Sequence, residues 1–433
     1  MAAEQPLETG GIVDGLRPRP SPQAALGALG EQSAAAVETA AARLAGACYE
    51  EALLRQLEPL QREREEISAQ ARARANPYRG LGTGCFDHKT GVVMANLDHI
   101  FRLVPGIDHQ VFNQSVLFSV CDLAAPRTGF TEFVLWKRKN AADCFAVTAD
   151  RSVSSSRDGR FHVKHVQPAA GWAACARPLV ESVDGATGGL GAHLVIAAGD
   201  NSDLTAPYTT AAQQTLCKVL VMLRTLRCEG VFLLETEDTT SPFMVSLLFA
   251  LSLCFREIAV AKPVAADPTA ATRYVVCMGL RARRPPLSCE LDNALPLLSG
   301  PAPPLVDVGR VLAARPFVEF LRNVNNKIIR SQIAAIEEAK KCAATPMREA
   351  GGTEEVWRRV LQAWGVAAGK KRARSGLPPQ KARKLDFLDR VAPVQPLPSA
   401  PAPAHDGGAA ARQRQFVLDE KARKALEART IRE

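Results

Sequence analysis

Apolar residues recur along this chain in two rhythms, and the switch between them outlines an architecture. From Ser33 to about Ala75, Leu44, Tyr49, Leu53, Leu54, Leu57 and Leu60 return at helical spacing among Glu and Arg, which predicts helix. Pro59 is expected to kink or divide that helix, because it lacks an amide donor and crowds the turn before it. Asn76-Pro77 is expected to stop it. From 78 to about 305 short apolar runs take over: "VLFSVCDL", "CFAVTAD", "AHLVIAAG", "GVFLLET", "EIAVAK" and "YVVCMGL" read as strands separated by helical stretches. Such alternation predicts an α/β fold of βαβ units, with a mostly parallel twisted sheet and helices on both faces.

The flanks read differently. Residues 1–32 are rich in Pro, Gly and Ala with little periodicity and are expected to be a flexible arm. Residues 33–76 then form an N-terminal helical extension and 77–305 the α/β domain. After "RRPP" the pattern is helical again from about Val306 to Ala344, and "GTEEVWRRVLQAWGV" adds an amphipathic helix, so 306–368 reads as a C-terminal helical segment. The remainder, 369–433, is a basic, Pro/Ala-rich tail with a charged helix near Gln413 to Arg432.

Composition narrows the class. In 433 residues, 47% apolar content is enough for a real core. No apolar run reaches the roughly 18 to 20 residues that span a bilayer; Phe243 to Cys254 is a buried helix long. The N-terminus has no basic stretch leading into an apolar one, so secretion is not expected. Eleven cysteines occur singly, without a CxxC pair, and read as reduced, buried residues of a nuclear or cytoplasmic protein. For a virus-encoded chain, the setting would be a viral factory or virion.

A formal net charge of +9 favours an acidic partner, nucleic acid above all. Its densest cluster lies in the tail, where Lys370, Lys371, Arg372, Arg374, Lys381, Arg383 and Lys384 stand without an acidic residue among them. That run reads as a solvated tail, as a nuclear import signal, or as an RNA contact.

Candidate chemistry sits at strand ends, where sheets of this kind hold ligands. "SVCDLAAPRTGFTEFVLWKRK" runs from an apolar strand through Asp122 into a helix near Phe130. His162 and His165 in "FHVKHV" would face opposite sides of a strand, which disfavours a metal site. "GATGGLG" near Gly185 lacks the Lys-Ser/Thr of a phosphate loop and reads as a loop. Asp238 and Ser241-Pro242 read as a helix start.

Several segments in one order carry a family resemblance: "ARARANPYRGLGTGCFDHKTGVVMANLDHIF", the Asp122 turn with "GFTEFVLWKRK", and Cys228 to Leu280 with "SPF", "KP", "DP" and "RYVVC". Together they resemble the cap-specific mRNA nucleoside 2'-O-methyltransferases of the FtsJ (RrmJ)-like superfamily, over residues 71 to about 281. "LQAWGV" near Trp364 resembles an element that follows the catalytic domain there. The resemblance implies a Rossmann-like methyltransferase fold and S-adenosylmethionine as cofactor. It also implies a Lys-Asp-Lys-Glu tetrad that helps a ribose 2'-hydroxyl lose its proton as it attacks the methyl group.

Carried over residue by residue, the tetrad positions fall on Val93, Ala198, Glu235 and Thr272. None has the family's side chain. In the cofactor turn, whose family pattern is close to DVCAGPGGFSE, Asp122, Ala125, Gly129, Phe130 and Glu132 match, with Arg127 inside the turn. The first two glycines fall on Pro126 and Thr128, where a Cβ fills space and restricts φ. Lys89, four residues before Val93, and Asp200, two after Ala198, are the residues from which a relocated site could be built.

Three function classes follow. The first is a non-catalytic relative of the cap methyltransferases that binds RNA (capped mRNA) or scaffolds a capping or methylating partner, with no cofactor. The second is an active, divergent RNA 2'-O-methyltransferase using S-adenosylmethionine; the third is a structural protein that uses the fold alone. Trp172 and Tyr78 are aromatics that could stack on a cap guanine, although both suit a core as well.

Overall fold

In the computed structural model the described residues are 11–17, 34–106, 117–124, 129–139, 141–151, 155, 160–167, 172–199, 205, 208, 210–298, 302–345 and 353–366. Among them run eight strands: β1 (Gly11–Leu16), β2 (Phe118–Asp122), β3 (Ala142–Thr148), β4 (Phe161–His165), β5 (Ala192–Ala197), β6 (Leu226–Thr236), β7 (Phe255–Pro263) and β8 (Arg273–Leu280). The helices before the sheet's centre are α1 (Ala34–Cys48), α2 (Glu51–Glu66), α3 (Ala69–Ala75) and α4 (Lys89–Phe101). Those between strands are α5 (Phe130–Lys137), α6 (Trp172–Thr187), α7 (Ala211–Thr225) and α8 (Pro242–Cys254). After β8 come α9 (Leu287–Ala294), α10 (Val308–Ala313), α11 (Arg315–Ala344) and α12 (Thr353–Ala363).

The strands form one sheet in the order β1-β7-β8-β6-β5-β2-β3-β4. From β4 across to β6 every pairing is parallel; β8 runs antiparallel between β6 and β7, and β1 antiparallel along β7. All six strand segments expected from the sequence are present. Their continuous apolar runs reflect burial on both faces, as in β2, where every residue is buried. The chain winds outward from β2 through β3 to β4, then returns to β5, so the sheet's switch point lies between the carboxyl ends of β2 and β5.

Local signals explain several boundaries. Ser241 caps α8 by accepting the Met244 amide, and Pro242 follows at the first turn. The body of α8 is buried from Phe243 to Ser252, which suits a helix apolar on all sides. The "GATGGLG" stretch contains the end of α6: Gly188, Gly189 and Gly191 take positive φ, and the Gly189 amide returns to the Asp184 carbonyl.

Two expectations need correction. Gly11–Leu16 lie within the segment read as a flexible arm, yet they form an edge strand paired from Gly11↔Pro263 to Leu16↔Ile258. The reason is tertiary: an open β7 edge satisfies a strand whose own residues are at most half-buried. Nor does Pro59 divide the helix, for it lies inside α2. The breaks fall at Tyr49-Glu50 and at Ile67-Ser68, where Ser68 caps α3 through the Ala71 amide.

The flanking helices share cores with the sheet. Leu44 and Cys48 of α1 and Phe317 and Phe320 of α11 are buried in one cluster with Leu234 and Phe243. A polar bridge reinforces it: Asn325 of α11 donates to the carbonyls of Cys48 (3.1 Å) and Thr239 (3.2 Å), and accepts the Thr239 hydroxyl (2.7 Å). Buried polar atoms satisfied from three elements fix those elements together.

Candidate functional site

The sheet's register assembles the carboxyl edge. Asp122 pairs with Ile196, Ala197 with Leu234, Thr236 with Arg273, and Ala261 with Tyr274. With neighbouring strands about 4.8 Å apart, this brings Ala198, Glu235 and Thr272 onto one short stretch of edge. Helix α4 reaches the same region from above β7, where the Asn96 side chain accepts the Ala265 amide at 3.2 Å. Thus three of the four tetrad positions meet through the sheet, and Val93 comes in on the helix.

The side chains that stand there differ in kind. Val93 is 5% exposed and Ala198 1%, both lining the core. Glu235, half-buried, accepts from the Tyr274 hydroxyl and the Gly199 amide; burial pushes its carboxyl up, and those two bonds pull it back. Tyr274 is buried against it, and its hydroxyl is held well above the usual phenol range by burial first and the Glu235 charge second. Thr272 contributes its carbonyl, which accepts the Lys262 ammonium at 2.9 Å.

Lys262 escaped the sequence reading as a chemical group, standing there only in the "KP" match. It is 7% exposed at the end of β7 and also bonds the Ala270 carbonyl. Burial, assisted by the Arg273 charge, lowers its pKa to about 7. Arg273, equally enclosed, bonds the Ala271 carbonyl and the Thr239 hydroxyl (2.9 Å), and burial brings it down to about 10. These cations brace the β7–β8 connection with backbone carbonyls as their partners.

The turn that resembles the family's cofactor turn is described at its two ends; Ala125, Pro126, Arg127 and Thr128 lie outside the described residues. Asp122 is fully buried, its Oδ1 accepting the Ala124 amide (3.1 Å) and its Oδ2 the Thr131 hydroxyl (2.7 Å). Its carboxylate therefore closes the turn onto α5. Gly129 donates to Thr90 Oγ1 at 2.7 Å, and a Cβ there would come within 2.5 Å of the Gly91 amide nitrogen. Glycine at this point serves the close approach of α4 to α5. Phe130 is buried, with its ring 6.4 Å from Tyr274.

The other expected residues separate. Lys89 is exposed on the first turn of α4, one turn from buried Val93. Asp200 lies outside the described residues, and so do Lys370, Lys371, Arg372, Arg374, Lys381, Arg383 and Lys384. Tyr78 is half-buried, and Trp172 opens α6. His162 stacks on Phe145 at 4.7 Å. Asp150, exposed just past the end of β3, stands in the sequence only as the last residue of a strand match; dinucleotide folds place a ribose-binding carboxylate at the end of that strand.

Comparison with known proteins fits this geometry. Residues 94–280 match the model of the FtsJ-like methyltransferases. A cap-specific mRNA (nucleoside-2'-O-)-methyltransferase 1 from Danio rerio is 29% identical over 51% of this chain and 29% of its own length. The Xenopus laevis protein of that name is 26% identical over 70% of this chain and 39% of its own, and the Homo sapiens one 27% over 50% and 29%. The chain therefore spans well under half the length of these relatives. A solved ribosomal RNA methyltransferase from Plasmodium falciparum aligns with 45% of this chain and 98% of its own at 10% identity and a TM-score of 0.31, a likeness too slight to argue from. By sequence match and by sheet topology together, residues 94–280 have the FtsJ-like methyltransferase fold.

Proposed function

We propose that this protein is a non-catalytic relative of the cap-specific mRNA 2'-O-methyltransferases that binds capped RNA or scaffolds a capping or methylating enzyme. The observation that carries this reading is the carboxyl edge itself. Two of the four tetrad positions, Val93 and Ala198, are buried aliphatic side chains. A third, Glu235, is bonded to Tyr274 and Gly199, and the fourth is Thr272. A ribose hydroxyl has a pKa far above neutrality, and its attack on a methyl group needs a group poised to take or steady its proton. Among the described residues of that edge, the one ammonium near neutrality, on Lys262, is spent on two carbonyls.

The family's cofactor, S-adenosylmethionine, would supply the methyl group. Against that use stand Pro126 and Thr128 where the family's turn has glycines, because a Cβ at either point takes space and restricts φ. Retention as an RNA-binding protein is supported by the net charge of +9 and the basic run from Lys370 to Lys384, since neutralised phosphates dominate such binding.

The test uses the full chain. Calorimetry with S-adenosylmethionine is expected to give no binding heat, and capped RNA is expected to gain no methyl group. Transfer that disappears in Lys89→Ala would overturn the reading in favour of a relocated site. RNA affinity is expected to fall steeply with salt, and deletion of 370–384 to flatten that slope. Binding indifferent to salt would point to a protein partner.

A further inference from the structure

Glu132 sits in the first turn of α5 and is 8% exposed. Its Oε1 accepts the Asp87 amide at 2.8 Å, and the carboxyl also receives the His88 amide. Its Oε2 is enclosed and has no hydrogen-bond partner among the described residues. In that place an ionised carboxylate holds charge against an unsatisfied side, whereas the neutral acid does not.

The segment thus gripped leads straight into α4. Phe86 packs edge-on against Phe133 (5.9 Å) and Trp136 (5.5 Å). It also covers Gly91 so closely that a Cβ there would lie 2.6 Å from the ring. The titratable groups that face Glu132 from this segment are Asp87 and Cys85, and His88 meets it through its backbone amide. Helix α4 begins with the exposed Lys89, and the last-turn Lys137 of α5 is engaged by Asp98. Burial first, then the Asp87 charge, raises the Glu132 carboxyl to about 7, against the pull of the two amides.

We propose that Glu132 is a proton-operated latch between α5 and the segment Gly84–His88. Protonated, it holds that segment on the core; ionised, it favours release, because release lets Oε2 reach water. The direction follows from linkage: the closed state binds the proton more tightly than the open one, so opening increases as pH rises from the ordinary Glu range to the closed-state value, then levels off. What the latch controls is the entry to α4, the helix that presents Lys89 and seats Gly91 under Gly129. Such a latch goes beyond the function proposed above and does not depend on it.

Hydrogen exchange of the Gly84–His88 amides in the full chain tests the latch, with rates corrected for the intrinsic effect of pH. In the native chain, opening is expected to grow by up to about tenfold per pH unit between about pH 5 and about pH 7, then reach a plateau. Glu132→Gln keeps the acceptor and cannot ionise, so its opening is expected to be flat. Asp87→Asn removes the neighbouring charge and is expected to give a smaller rise that levels off at lower pH. A flat native profile, or the native profile retained in Glu132→Gln, would overturn the proposal. Should Glu132→Gln fail to fold, infrared titration of the carboxyl in the native chain decides. A midpoint near the ordinary Glu value of about 4.3 overturns the latch, and one well above it supports the latch.

Discussion

The contact between α4 and α5 and the edge formed by β5, β6 and β8 lie beside each other, and the family pattern has fared differently in the two. At the helix contact the matching residues are present and each has a structural task. Asp122 closes a turn, Gly129 admits Gly91, and Glu132 takes the amides ahead of α4. At the edge, where the resemblance would put the family's tetrad, Val93 and Ala198 are buried in the core. Lys262 and Arg273, which also match the pattern, brace backbone carbonyls. The turn residues that match the family pattern carry structural tasks, whereas the positions that match its tetrad hold other side chains.

Substitutions can break or sharpen that contrast. The largest effect is expected for Phe130→Ala at the helix contact, a loss of about 3–5 kcal/mol in chemical denaturation, as for other large aromatic truncations in a core. Gly129→Ala should follow with about 1–3 kcal/mol, since its methyl meets backbone that cannot swing aside. If either variant were as stable as the parent, the structural account of the retained turn residues would fail.

A pH effect comes next. The Lys262 ammonium is held down at about 7 in the fold, so between there and the ordinary lysine range the unfolded chain binds more protons and stability rises with pH. The stability of the parent relative to Lys262→Met is therefore expected to increase as pH climbs across that window, in parallel thermal melts. A constant difference would show that the ammonium is not disfavoured by burial. The smallest effect belongs to the sheet edge: Thr272→Val, at a half-exposed position whose carbonyl does the bonding, is expected to stay within about 0.5 kcal/mol. A much larger loss there would mean that the side chain has a task of its own.

Much of the fold was legible because burial on both sheet faces leaves unbroken apolar runs, as in "VLFSVCDL" and "AHLVIAAG". The Ser241-Pro242 start was legible for a local reason, a side-chain oxygen meeting an orphan amide. Strand β1 was not, because "GIVDGL" has no apolar run of its own and becomes a strand by pairing with β7. The candidate site divided along the same line. The family resemblance pointed to Val93, Ala198, Glu235 and Thr272, whereas the tasks of Lys262 and Glu132 depend on burial and on partners brought near by folding, Thr272 across a turn and Asp87 ahead of α4.

By itself, the sequence determined the alternating architecture, because periodicity is written along the chain, and its family resemblance pointed to the four tetrad positions and the side chains now standing there. Only the tertiary structure decided that Gly129 serves a helix contact, that Glu235 answers to Tyr274, and that Glu132 and Lys262 sit near neutrality. Those properties come from burial and from neighbours brought in across the sheet, and desolvation has no counterpart in a one-dimensional pattern.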